Sequence, residues 1–159
     1  MGIEKIAVLG AGQMGNGITQ VAACAGYEVT MIDIKQEYIE NGLATIERSL
    51  SKLVSKERMS QADSDSARAN ISISTEKSSA ATADLVIEAI PEIPDLKFST
   101  FKEMDDICKD GAILASNTRS ISIDEIANAT SRPSCVIGMH FMNPVPIMKL
   151  VEVITGSQT

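Results

Sequence analysis

Two groups of residues in this 159-residue chain have the types and spacing of chemistry. Near the start, Lys5-Ile6-Ala7-Val8-Leu9 runs into Gly10-Ala11-Gly12-Gln13-Met14-Gly15. Near the end, Gly138-Met139-His140-Phe141-Met142-Asn143-Pro144 holds the sole histidine, and Glu152 follows it twelve residues later in an apolar stretch. In the first group Gly10 makes a tight turn, Gly12 lets the backbone approach a phosphate, and Gly15 lets a helix pack closely on the preceding strand. The helix N-terminus then offers free N–H groups and partial positive charge. Gly10, Gly12, Gln13, Met14 and Gly15 thus read as a cradle for a dinucleotide pyrophosphate. Three spaced glycines are a weak signal alone, and their position after a buried strand and before a helix strengthens it. Asp33 lies 18 residues past Gly15. An acid there accepts from both hydroxyls of a ribose and repels a 2′-phosphate, which favours NAD over NADP. The competing reading is a glycine turn followed by a surface aspartate.

The second group suggests proton transfer. His140 ends an apolar run, at the edge where open α/β sheets bind ligands. Glu152 interrupts Lys149-Leu150-Val151-Glu152-Val153-Ile154, on a strand face shared with Leu150 and Ile154. A carboxylate on a buried face is costly unless paired. In an antiparallel hairpin centred on Pro146, His140 and Glu152 lie opposite one another. Glu152 would hold one ring nitrogen while the other takes a hydroxyl proton. A structural His–Glu bond in a surface hairpin fits the same pattern. Ser116, in Ser116-Asn117-Thr118 after another apolar run, is placed to donate to a substrate oxygen, although such triplets also serve ordinary turns. Arg48, Lys52 and Lys56 recur every four residues beside Ser49. That basic stripe suits an anionic tail or a solvated helix face.

The elements that must position these residues alternate. Residues 4–9 predict a buried strand, 14–25 a helix stopped by Gly26, and 28–33 a second strand, which together form a βαβ unit. Residues 35–58 predict a long amphipathic helix with Ile39, Leu43, Ile46, Leu50, Leu53 and Val54 on one face. A shorter helix over 60–70 completes a helical arm. Strands follow over 71–73, 84–90, 112–115, 135–141 and 150–154. Helices are expected over 96–108 and 122–129, the latter opened by a Ser122/Glu125 capping box. The pattern predicts an α/β fold: a doubly wound, Rossmann-type sheet, mostly parallel, with a C-terminal antiparallel hairpin. Residues 1–159 are expected to form one domain. The chain reaches Thr159 directly after the last strand, so the other wall of a substrate cleft is expected to be lacking.

Composition sets outer limits. A content of 44% hydrophobic and 22% charged residues is that of an ordinary globular protein. With two tyrosines, three phenylalanines and no tryptophan, the core must be aliphatic. A net charge of −7 argues against nucleic-acid partners. The three cysteines, Cys24, Cys108 and Cys135, are widely spaced and form no metal-binding pattern, so no metal is expected and the thiols read as reduced, in a cytoplasmic protein. No apolar run suits a signal peptide or a membrane span.

The chain resembles the 3-hydroxyacyl-CoA dehydrogenases, most closely their bacterial 3-hydroxybutyryl-CoA branch. The likeness is carried by residues 10–18 (Gly-Ala-Gly-Gln-Met-Gly-Asn-Gly-Ile), 84–89 (Asp-Leu-Val-Ile-Glu-Ala), 114–118 (Leu-Ala-Ser-Asn-Thr) and above all 138–154. It implies NAD-dependent interconversion of (S)-3-hydroxyacyl-CoA and 3-oxoacyl-CoA, with acetoacetyl-CoA a typical substrate. It implies His140 as the base, Glu152 as its partner, and Ser116 as a contact to substrate and nicotinamide. It further implies NAD contacts at Asp33, Glu92, Lys97 and Asn143, and coenzyme A contacts at Ser49 and Lys56. The pattern departs at Arg119, where the family has a serine, and around Glu92, flanked here by Pro91 and Ile93-Pro94. Family members add a helical domain that completes the cleft, supplies an asparagine and makes the homo-oligomer. The surface that would meet it is expected to be apolar and exposed here. Two other functions fit the cofactor motif: a nucleotide-binding regulatory module, and another NAD-dependent hydroxyacid dehydrogenase, of which those with a lysine base would not need the His140/Glu152 hairpin.

Overall fold

Alternation along the first strand decides the layering. In the computed structural model, which describes residues 2–159, β1 (Lys5–Leu9) sends Ile6 and Val8 into one apolar cluster and Ala7 and Leu9 into another. Successive side chains of a strand point to opposite faces, so one central strand nucleates two cores. The remaining strands are β2 (Glu28–Ile32), β3 (Ile71–Ser74), β4 (Leu85–Glu88), β5 (Ile113–Ser116), β6 (Val136–Phe141) and β7 (Val151–Thr155). They form one sheet in the order β3-β2-β1-β4-β5-β6-β7. All pairings are parallel except β6 with β7. The chain winds outward through β2 and β3, then crosses back to β4. The switch point therefore lies between β1 and β4, where doubly wound sheets open a crevice.

Helices α1 (Gln13–Cys24), α2 (Gln36–Ser55) and α3 (Gln61–Ala69) cover one face. Helices α4 (Pro94–Ile107) and α5 (Ile123–Asn128) cover the other. On α2 the expected apolar face is present, with Ile39, Ile46 and Leu50 buried and Leu43, Leu53 and Val54 half-buried. The α2–α3 pair is tied along α1 by Gln20 Nε2 donating to Ser49 Oγ at 2.9 Å and Asn70 Nδ2 donating to the Ala23 carbonyl at 3.1 Å.

Two local expectations need correction. Helix α4 starts at Pro94 rather than Leu96, because proline suits the first helical position, where no N–H is needed. The Ser122/Glu125 capping box does not form: Ser122 is the N-cap residue of α5, but its hydroxyl caps nothing. Asp124 instead accepts from the N–H and hydroxyl of Ser157, spending the acidic first turn on the segment after β7.

Candidate active site

The glycine turn is built by close contacts. Gly10 has φ +110°, and a Cβ there would lie 2.5 Å from the Ala89 carbonyl oxygen. A Cβ on Gly15 would collide with the Gly10 carbonyl. Gly12 differs, because a Cβ on it would meet nothing within 4 Å. That open space faces the uncapped start of α1, where Gln13, Met14 and Gly15 have no carbonyl one turn earlier to bond. A pyrophosphate fits here: backbone can approach closely and N–H groups await an acceptor. Asp33, just past β2, accepts from the Ala11 N–H at 2.8 Å and the Ile34 N–H at 2.7 Å. Its carboxylate thus braces the turn, with lone pairs left for a ribose. A cleft of about 770 Å³ runs from this turn past Asp33, Tyr38, Ile90 and Leu96, within the range of small-molecule sites. A smaller cavity of about 240 Å³ at the opposite strand ends, near Lys5 and Asn70, is lined by none of the candidate residues.

On the other side of the switch point, β5 and β6 deliver the remaining candidates. The β6–β7 register places His140 opposite Glu152 and Phe141 opposite Val151. Opposed residues of an antiparallel pair share a face, so the two titratable groups are neighbours. Neither a hydrogen bond nor an ion pair joins them among the described residues. Glu152 is exposed and His140 half-buried. The expectation of a buried carboxylate is therefore corrected: β7 is an edge strand, and Leu150 and Ile154 beside Glu152 are exposed as well. Asn143 is also exposed.

Ser116 departs from its expected role. It is fully buried and donates to Glu88 Oε1 at 2.6 Å, so its proton is committed inward. Glu88, which sequence reasoning passed over, ends β4 with 0% exposure. Its other oxygen accepts from Lys97 Nζ and the Ile90 N–H, both at 2.8 Å. Lys97 is equally buried and reaches Glu92 Oε1 at 2.7 Å. The second Glu92 oxygen accepts from the hydroxyls of Thr118 and Ser120 and from the N–H groups of Arg119 and Ser120. Partial burial works against the Glu92 carboxylate, but Lys97, the Arg119 N–H and Thr118 outweigh it and hold its pKa down to about 2. Lys97 and Glu92 thus stitch the β4–α4 loop to the β5–α5 loop, and Lys97 has no charge facing the cleft. The signal for Glu88 was a carboxylate closing the apolar run Leu85-Val86-Ile87, the same anomaly that drew attention to Glu152.

On α2, Ser49 is half-buried against Gln20, while Lys56 caps the helix C-terminus in solvent with Arg48 and Lys52 also exposed. All three cysteines are unpaired. Among the described residues no cluster of metal-ligating side chains occurs, and no helix is long and apolar enough to cross a membrane.

Known proteins share this fold and much of this sequence. Residues 5–159 match the family described as "3-hydroxyacyl-CoA dehydrogenase, NAD binding domain". The chain belongs to that family. A probable 3-hydroxybutyryl-CoA dehydrogenase of Bacillus subtilis is 50% identical over the whole chain, which covers 55% of that protein. The fatty acid oxidation complex subunit alpha of a Psychrobacter strain is 41% identical over 99% of the chain, which covers 22% of that protein. The crystal structure of (S)-3-hydroxybutyryl-CoA dehydrogenase from Ralstonia eutropha superposes with a TM-score of 0.97 at 47% identity, over 99% of this chain and 56% of that one. The chain therefore spans about half the length of the 3-hydroxybutyryl-CoA dehydrogenases it matches, and it carries the NAD-binding portion of the 3-hydroxyacyl-CoA dehydrogenase family.

Proposed function

We propose that this chain is the cofactor-binding and proton-transferring half of a 3-hydroxybutyryl-CoA dehydrogenase. The observation that carries the reading is the sheet itself: one C-terminal edge bears an NAD cradle at β1 and a His140/Glu152 pair at β6–β7. NAD, when bound, supplies the hydride acceptor. Gly10, Gly12, Gln13, Met14 and Gly15 hold its pyrophosphate, and Asp33 takes the adenosine ribose. His140 accepts the proton of the 3-hydroxyl as the C3 hydride departs, leaving a 3-oxoacyl thioester and an imidazolium. Glu152 stabilises that imidazolium from across the hairpin. Ser116 and Lys97 act from the buried layer beneath, Ser116 through Glu88 and Lys97 through Glu92, while Asn143 meets the cofactor from the hairpin connector. Ser49 and Lys56 on α2 receive coenzyme A, with Arg48 and Lys52 adding attraction for its phosphates. The whole enzyme acts as a homo-oligomer in the cytoplasm.

Lys97, buried between two carboxylates, is not available as the base of the lysine-base alternative. The test is a NADH titration followed by addition of acetoacetyl-CoA, monitored by NADH absorbance and fluorescence. The chain binds NADH and consumes it slowly, and His140→Ala removes the consumption while leaving NADH binding intact. A folded chain that ignores NADH, or turnover that survives His140→Ala, overturns the reading.

A further inference from the structure

The pyrophosphate cradle accounts for Gly10, Gly12 and Gly15. It leaves Gly17, buried in the second turn of α1, without a reason. Glycine inside a helix is destabilising relative to alanine, so its presence there calls for a packing cause. The cause is the connector between β6 and β7. A Cβ on Gly17 would lie 2.8 Å from Val145 Cβ, 3.2 Å from Val145 Cγ2 and 3.4 Å from Pro146 Cδ. The nearest of these atoms is bonded to the connector backbone and cannot swing aside. Val145 is itself only 4% exposed, and it packs within the cluster that contains Ile18.

Val145 stands five residues after His140 and seven before Glu152. The hairpin carrying that pair has a second anchor, where the Phe141 N–H donates to Asn117 Oδ1 at 2.8 Å. Asn117 ties the hairpin to β5. Val145 ties it to α1, the helix whose first turn holds the cofactor. Of these two ties, the Val145 contact is the one made directly to the cofactor's own element.

We propose that Gly17 is a positioning residue: its bare α-carbon lets Val145 seat against α1, and this seat sets the place of His140 relative to the cofactor cradle. It acts through Val145 and touches no ligand. Its catalytic meaning rests on the function proposed above, but the joint itself is testable without any turnover.

His140 is the sole histidine, so its imidazole carbon-bound protons give an isolated pair of NMR resonances. The experiment compares the wild-type chain with Gly17→Ala and with Gly17→Ala/Val145→Ala, reading the His140 resonances, NADH affinity and circular dichroism. Gly17→Ala moves the His140 resonances, and the added Val145→Ala returns them toward their wild-type positions. NADH affinity stays within about twofold throughout, the scatter expected of independent sites. Unmoved His140 resonances in a folded Gly17→Ala chain overturn the proposal. So does a loss of NADH affinity of about tenfold or more, which would make Gly17 part of the cradle. If Gly17→Ala does not fold, the double variant decides: a folded chain with near wild-type His140 resonances supports the joint, and an unfolded one refutes it.

Discussion

Lys97 carries one positive charge and meets two carboxylates. It is 1% exposed and Glu88 is 0% exposed, so neither has water to fall back on. Removing one partner of such a buried group strands the other charges, which costs about 3–5 kcal/mol. Lys97→Met should therefore lower unfolding stability by that amount in urea titration. Lys77, whose ion pair with Glu103 is about half in water, should lose no more than about 1 kcal/mol on Lys77→Met. Equal losses from the two substitutions would show that Lys97 is not a buried centre of charge. Glu92 offers a pH test. Its folded pKa, about 2, lies below the ordinary 4.5, so its ionised form stabilises the fold above the ordinary value. That contribution fades as pH falls through the folded value. Asp84, whose carboxylate Lys109 and the N–H groups of Lys5 and Glu4 hold well below its usual range, adds to the acid sensitivity of the chain. The informative quantity is therefore a difference. The melting-temperature gap between wild type and Glu92→Gln should be widest above about pH 5 and close as the pH approaches that of the folded group. A gap that is flat with pH would mean that Glu92 works by packing alone.

At the scale of elements, periodicity made the sheet legible. The run over 4–9 and the glycine turn behind it announced β1, α1 and β2, and Pro146 centred the hairpin well enough to place His140 opposite Glu152. What remained illegible was decided by neighbours far away in sequence. Nothing near Ser116 says that its hydroxyl points inward, because the acceptor, Glu88, lies 28 residues earlier. Nothing near Glu152 says that its strand is uncovered. Gly42 is a third case: on α2 it reads as a weak helix residue, yet a Cβ there would lie 2.6 Å from the Ala11 carbonyl oxygen. Helix α2 thus rests directly on the back of the cofactor turn. Overpacking such a contact costs about 1–3 kcal/mol, here against backbone that cannot yield without reshaping the turn. Gly42→Ala should therefore weaken NADH binding as well as lower stability, by contrast with Ile46→Val on the same helix, which should cost about 0.5–1.5 kcal/mol of stability and leave NADH binding alone. Isothermal titration with NADH beside urea unfolding separates the two, and unchanged NADH affinity in Gly42→Ala would break the link between α2 and the turn.

For the whole molecule, two surface terms oppose one another. A net charge of −7 on a chain of this size repels its copies. Against it stand exposed apolar side chains on the C-terminal hairpin: Ile147 in the connector is 71% exposed, Leu150 just before β7 59%, and Val153 within that outer strand 62%. An edge strand with free N–H and C=O groups and apolar side chains is a template for pairing, and proteins ordinarily blunt such edges with charge, especially lysine. Lys149 lies just before β7, and within the strand Glu152 is the only charged residue. Charge repulsion is long-ranged and screened by salt, whereas apolar contact is short-ranged and strengthened by excluded salts such as sulfate. The isolated chain should therefore self-associate in a concentration-dependent way, and sulfate should promote the association. Val153→Lys should restore the monomer, since it puts a charge into the middle of the edge without touching the buried core. Sedimentation velocity over a range of concentration, in low salt and in ammonium sulfate, reads all three effects. A wild-type chain that stays monomeric in sulfate at every concentration would show that these side chains are too few to overcome the charge. Association that persists in Val153→Lys would place the contact elsewhere, with Ile34 at the mouth of the cofactor cleft, 70% exposed, as the next surface to test.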